Sequence, residues 1–351
     1  MDCTMNELLK QLRQPAFTVK NRKILQVNEE AAHLQLEPGT DLGLFWAADP
    51  DNYLDFDSGM LYLMIELKHR ITAATVTRYP QCDLFVLDED TPSCLRTLAL
   101  AAKELRGPFS EINFLAERMK REDTSQMQQL ENIYARNAFQ IHRMVTNMAD
   151  AAKLRPGMTL DLAPLNLQAF YKELFEKTNA NLNGSRADIV FHGLDEPLVT
   201  MADRKYLSRA VYNLLSNALK FTPKDGTIEA WLTHNRAQAI LTIQDSGEGI
   251  SDHVWGNLFT RFQRSPGVED PRHGLGLGLL ITSNIAAMHD GALLIQKAPG
   301  GGTRVSLTVS LHKLPNSKLY NHPLIVDDLG GQDCALVELS DVLPPEAYMQ
   351  A

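Results

Sequence analysis

Two asparagines and a lysine, Asn213, Asn217 and Lys220, recur at spacings of four and three in the stretch Leu207 to Pro223, LSRAVYNLLSNALKFTP. On an α-helix those spacings put all three on one face. Carboxamide oxygens ligate a hard cation such as magnesium and an ammonium meets phosphate, so the trio suits a magnesium-bound triphosphate. Alone, the same pattern also describes an ordinary solvated helix face. Three glycine-rich segments follow in order. Asp245-Ser246-Gly247-Glu248-Gly249 comes directly after the strand-like Ile240 to Ile243. A carboxylate at a strand end can accept from the exocyclic amine of adenine, and Gly247 and Gly249 let backbone pass close to a flat base. Gly274-Leu275-Gly276-Leu277-Gly278 opens a helical run to Met288, where amide donors and the helix dipole favour phosphate. Gly300-Gly301-Gly302-Thr303 makes a turn before the last clear strand, Val305 to Leu311. Between the first two of these glycine segments lies Leu258 to Arg264, LFTRFQR; its phenylalanines suit packing, and Arg261 or Arg264 could reach phosphate. Singly, DxGxG is a strand-to-loop turn, GxGxG is weak and GGGT is a hairpin. Their order carries the signal.

Residues 156–312, which hold these segments, alternate strand and helix patterns. Upstream, residues 91–155 read as two long amphipathic helices. Leu105, Phe109, Ile112, Leu115 and Met119 form one apolar stripe, Arg121 to Ser125 break it, and Leu130, Ile133, Ala138, Ile141, Val145 and Met148 form the second. A hairpin of two such helices buries only part of each stripe. Pairing two hairpins into a four-helix bundle covers the rest, so a homodimer is expected; the plainer alternative is a helical linker packed on its own chain. Residues 1–90 mix β-like runs (Ala16 to Val19, Ile24 to Val27, Ala73 to Thr77, Leu84 to Leu87) with one or two helical stretches.

A length of 351 residues allows two or three domains. Hydrophobic content of 44% with 22% charged residues describes a globular chain, not a disordered one. The net charge of -9 excludes a broad nucleic-acid groove while leaving room for a local basic pocket. Cys3, Cys82, Cys94 and Cys334 form no CxxC pair, which fits neither zinc nor a disulfide framework and suits a reducing compartment. The opening MDCTMNELLKQLRQ lacks a signal-peptide core, and no run approaches the roughly 20 apolar residues of a membrane span. A cytoplasmic protein is expected.

In its order of motifs, the stretch from about 157 to 312 resembles the ATP-binding domain of sensor histidine kinases, within the GHKL ATPase superfamily. The asparagine helix matches the N box, DSGEG the first glycine box, LFTRF the F box, GLGLGL the second glycine box, and GGGT the glycine turn before the last strand. The resemblance implies ATP and magnesium as cofactors. It makes Asn217 the magnesium ligand, with Asn213 and Lys220 near metal and phosphates, and Asp245 the adenine-binding residue. Gly274, Gly276 and Gly278 would shape the lid over ATP, and Gly247, Gly249, Arg261 and Thr303 complete the expected site. Ala102 to Phe109, AKELRGPF, is similar to the H box usually written S-H-E-L-R-x-P-L; Glu104, Leu105, Arg106 and Pro108 fix the register. Lys103 then occupies the place of the phospho-accepting histidine. An imidazole is largely neutral at pH 7, whereas an ordinary lysine is a free amine in under about 0.1% of molecules. Glu104, the expected general base, does not overcome that deficit, and His142 lies on the wrong helix. Self-phosphorylation at the usual position is therefore not expected.

Residues about 13 to 90 resemble a PAS sensor domain: Phe17–Val19 and Ile24–Asn28 as its opening hairpin, Glu29–Leu36 as a helix, and Leu84–Thr91 as the terminal strand entering the signalling helix. A small α+β dimerisation domain is the alternative. The expected architecture is α+β, with a PAS-like sensor (1–90), a dimerising hairpin with a degenerate H box (91–155), an α/β-sandwich ATP-binding domain (156–312) and a tail (313–351). In the tail, Leu324–Val326 would pair with Ala335–Val337 as a hairpin. Three functional readings follow: phosphorylation of a partner kinase in a heterodimer, ATP-dependent regulation of a kinase or response regulator as a pseudokinase, or a GHKL ATPase or anti-sigma-type serine kinase. Those last proteins lack such a hairpin.

Overall fold

A computed structural model describes residues 3–12, 14–46, 51–67, 70–87, 94–119, 124–154, 158–184, 187–250, 277–312 and 333–348. After helix α1 (Cys3–Gln11), the N-terminal region is an antiparallel sheet of β1 (Ala16–Lys20), β2 (Lys23–Val27), β3 (Met60–Leu67), β4 (Arg70–Arg78) and β5 (Asp83–Leu87), with short helices α2 (Glu29–His33) and α3 (Asp51–Leu54). Asn28 caps α2 by accepting from the Ala31 amide, and it also accepts from the Ala16 amide, which ties the helix start to β1. Four of the five strands coincide with the β-like runs of the sequence. The fifth, β3, carries no alternation to mark it. Its sequence MLYLMIEL is buried on both faces: Leu61, Leu63 and Ile65 enter the N-terminal core, while Met60, Tyr62 and Met64 enter the core of the C-terminal half.

Helices α4 (Cys94–Met119) and α5 (Thr124–Lys153) form the expected hairpin, and α4 runs through Gly107 and Pro108 without a break. The apolar stripes are fully buried only near the loop, at Leu115 and Leu130. Farther along, Phe109 is 50% exposed and Val145 48% exposed.

The C-terminal half contains β6 (Ala163–Asn166), α6 (Leu167–Leu182), β7 (Ile189–His192), β8 (Val199–Ala202), α7 (Arg204–Phe221), β9 (Ile228–His234), β10 (Gln238–Asp245), α8 (Gly278–Met288), β11 (Leu293–Lys297) and β12 (Thr303–Ser310). Asp203 caps α7 on the Tyr206 amide, and the Asp203 amide donates to the buried His289 ring. Helices α6, α7 and α8 pack on a sheet ordered β11-β12-β10-β9-β7, while β6 and β8 pair apart. The two sheets are continuous. Strand β3 pairs antiparallel with β11 through Tyr62–Leu293, Leu61–Leu294 and Met60–Ile295, giving ten strands in the order β2-β1-β5-β4-β3-β11-β12-β10-β9-β7.

The tail departs from expectation. Ala335 to Val337 are not a strand but lie in helix α9 (Cys334–Glu338), capped by Asp333 on the Ala335 amide, and a 3-10 turn follows at Pro345–Tyr348. Leu324–Val326 lie outside the described residues. Ala335, Leu336, Val337, Leu339, Val342, Leu343 and Tyr348 are buried in the main core, and the Tyr348 ring packs tilted against Phe139 of α5 with centroids 5.2 Å apart. A short apolar run suits helix or strand equally, and burial between α5 and α7 decides for the helix. No described helix is long and apolar enough to cross a membrane.

Candidate functional site

Strand β10 delivers Asp245 to the edge of the core, where it is 7% exposed. Its Oδ1 accepts from the amides of Gly247 at 2.9 Å and Thr303 at 3.2 Å. Among the described residues none donates to Oδ2. Burial pushes this carboxyl above its ordinary range, and the backbone donors offset part of the rise. The arrangement depends on absent side chains. Gly302 has φ +84° and its missing Cβ would collide with the Asp245 carbonyl oxygen; Gly249 has φ +72° and a Cβ there would stand 3.1 Å from the Gly302 carbonyl oxygen. The Asp245 segment and the glycine turn before β12 are thus in direct contact, and Gly247 backs onto the Phe221 carbonyl at the end of α7.

Along α7, Asn213 is buried and its Oδ1 accepts from Arg143 Nη2 of α5 at 3.3 Å. Gly278, the first residue of α8, sits over it, since a Cβ there would lie 3.5 Å from the same oxygen. Leu277, at the α8 N-cap, has no side chain able to cap the helix, and such an N-terminus favours anions. Asn217 is half-buried on α7. Lys220 Nζ meets Asp341 Oδ2 at 2.6 Å, and Arg143 Nη1 meets the same oxygen at 2.7 Å. Burial lowers the Lys220 pKa and Arg143 lowers it further, against the opposing pull of Asp341. For Asp341 burial acts upward, but Arg143 and Lys220 outweigh it and hold the carboxyl at about 2. Arg209, one turn before Asn213, pairs with Asp150 of α5, bonds Asn147 at 2.7 Å and approaches Glu338 of α9 at 3.4 Å.

The fold therefore joins Asp245, Gly247, Gly249 and Thr303 at one point, and Asn213 and Gly278 at another, with Lys220 farther along α7. Lys103 and Glu104 fall within α4, but their side chains lie outside the described residues, as do Arg261, Arg264, Gly274 and Gly276 and the whole F box. Five charged residues of this region carry no motif: Arg143, Asp150, Arg209, Glu338 and Asp341. Extending the α7 spacing one turn backward reaches Arg209. Nothing local marks Asp341, whose partners stand 198 and 121 residues away.

Residues 202–313 match the model of the histidine kinase-, DNA gyrase B- and HSP90-like ATPase family. The chain is 29% identical over 204 residues to histidine kinase P4 of Formosa agariphila, covering 56% of this chain and 15% of that one. It is 28% identical over 204 residues to the sensor histidine kinase TmoS of Ectopseudomonas mendocina, covering 56% and 20% respectively. It thus spans less than a quarter of the length of these curated relatives. Among solved structures, histidine kinase ThkA in complex with the response regulator protein TrrA aligns with a TM-score of 0.46 at 16% identity, over 87% of this chain and 98% of that one.

Proposed function

We propose that this chain, which belongs to the sensor histidine kinase family by its ATP-binding domain, binds ATP with magnesium and does not phosphorylate itself at position 103. The observation that carries the nucleotide reading is the clasp at Asp245. Two backbone donors hold Oδ1, which leaves Oδ2 as acceptor for the adenine amine beside a turn kept bare by glycines. Asn213 and Asn217, one turn apart on α7, supply carboxamides for magnesium, with Asn217 as the direct ligand. Lys220 supplies charge to the phosphates, and the uncapped start of α8 adds backbone donors. The bound nucleotide would supply a transferable phosphoryl group. The acceptor position holds Lys103 in the frame Glu104, Arg106 and Pro108, and a protonated amine there is no nucleophile.

Two outputs fit this site: phosphorylation of a histidine on a partner kinase, or nucleotide-dependent regulation of a kinase or response regulator without phosphotransfer. The hairpin α4–α5 supports either over a GHKL ATPase or anti-sigma-type serine kinase. Its exposed stripe supports association through residues 91–155, as a homodimer or with another histidine kinase. The opening hairpin β1–β2 followed by α2, with β5 ahead of α4, supports the reading of residues 1–90 as a PAS-like sensor.

The test is incubation with γ-labelled ATP of the wild type, Lys103→His and Lys103→His/Asn217→Ala, each with and without a candidate partner kinase. Acid-labile label is expected on Lys103→His, not on the wild type, and not on the double variant. Strong label on the wild-type chain itself overturns the reading at position 103. Label passed to the partner selects phosphotransfer over regulation.

A further inference from the structure

The face of α7 that holds Asn213 and Lys220 is covered by the C-terminal segment, and that contact has the chemistry of an occupied anion site. Arg143 from α5 and Lys220 from α7 converge on a single oxygen, Asp341 Oδ2, at 2.7 and 2.6 Å. Arg143 at the same time holds Asn213. Two cations within hydrogen-bond reach of one point repel each other unless an anion stands between them. A phosphate oxygen meets that demand as well as a carboxylate oxygen does. We propose that Arg143 and Lys220 form a two-cation phosphate seat, and that Asp341 fills it as a built-in anion that nucleotide must displace. This rests on the reading of α7 as part of a nucleotide site.

Three features favour exchange over a permanent bond. The interface is incompletely satisfied: among the described residues, Asn213 Nδ2, Ser216 Oγ and Ser340 Oγ are buried with no hydrogen-bond partner. Buried polar groups left so carry a cost that a better-matched ligand removes. Next, Asp341 lies in the turn between α9 and the 3-10 turn, with its side chain 26% exposed, whereas its flanks Leu336, Val337, Leu339, Val342, Leu343 and Tyr348 are buried. The turn that carries Asp341 can loosen while α9 before it stays docked. Finally, Glu338 is shared between Arg143 at 3.5 Å and Arg209 at 3.4 Å, and Arg209 also keeps Asp150, so departure of Asp341 leaves Arg143 with one longer ion pair and, among the described residues, Lys220 with no carboxylate.

The experiment is titration of the full chain with magnesium and a fluorescent ATP analogue, for wild type, Asp341→Asn, Arg143→Gln and Asp245→Asn. Asp341→Asn is expected to bind about tenfold tighter, the gain when the open seat rises from about a tenth of molecules to nearly all. Arg143→Gln is expected to bind more weakly than wild type. Hydrogen exchange on the wild type gives an independent reading: saturating nucleotide should speed exchange at 339–343 and leave 335–337 protected. Equal or weaker binding by a folded Asp341→Asn, or unchanged exchange at 339–343, overturns the seat. If wild type then still binds and Asp245→Asn does not, the nucleotide site stands without it. Absence of binding in every folded form overturns both.

Discussion

Alanine at Gly302 and alanine at Gly300 should separate two costs that the glycine turn combines. Both residues have positive φ, +84° and +88°, so each variant bears the same backbone penalty of roughly 1–2 kcal/mol. At Gly300 nothing lies within 4 Å of the new Cβ. At Gly302 the Cβ would collide with the Asp245 carbonyl oxygen and stand 2.9 Å from its carbon and 3.1 Å from Oδ1. Relief requires β10 and the turn to part, at about 1–3 kcal/mol for overpacking. It also weakens the Thr303 amide bond to the Asp245 carboxylate, a charged-group hydrogen bond of about 1.5–3 kcal/mol. The low ends of these ranges put Gly302→Ala about 2.5 kcal/mol below Gly300→Ala, or roughly 1 M in urea midpoint. Displacement of Asp245 should also cost at least about tenfold in nucleotide affinity, a loss Gly300→Ala should not show. Urea unfolding and nucleotide titration of both variants measure this. Indistinguishable variants would refute the claim that contact between the glycine turn and Asp245 shapes the site.

Asp341→Asn should destabilise the chain by about 1 kcal/mol at pH 6 and by progressively less as the pH falls toward 2 and below, as read by urea unfolding. The folded carboxyl, at about 2, lies below the ordinary value of about 3.9, so its contribution is complete above the latter and fades as pH falls through the former. Replacing Phe109 and Phe114, 50% and 61% exposed, by serine should weaken self-association at least about tenfold in sedimentation while changing unfolding of the single chain by under about 0.5 kcal/mol. Gly59→Val, at φ +101° against the Ile295 carbonyl, should open the junction of the two sheets, seen as faster amide exchange at Leu293 to Ile295.

The motifs around Asp245 and on α7 were legible because each is local: a helical spacing, or glycines whose lack of side chain is the requirement. Helices α4 and α5 were legible for the same reason, since their stripes repeat within one element. Strand β3 was not. An edge strand of one small domain should alternate, but its second face is taken by the core of the other half, so Met60, Tyr62 and Met64 are as apolar as their neighbours. The tail helix was misread because a five-residue apolar run has no period of its own. Arg143 and Asp341 were invisible in a different sense: a cation on an amphipathic helix and an acid in a turn look solvated until the chain brings them together across 198 residues.

The three-pair joint between β3 and β11 makes the sheet behave as a toothed clutch. Leu293 and Ile295 are fully buried, and a slip of one residue would turn both outward. The strands can therefore shift past each other only in two-residue steps of about 7 Å, or let go altogether. Beyond β11 the chain passes through the glycine turn into β12, whose first amide grips Asp245. A slide of β3 along β11 would therefore come in whole steps, on the strand that leads directly into the turn gripping that carboxylate.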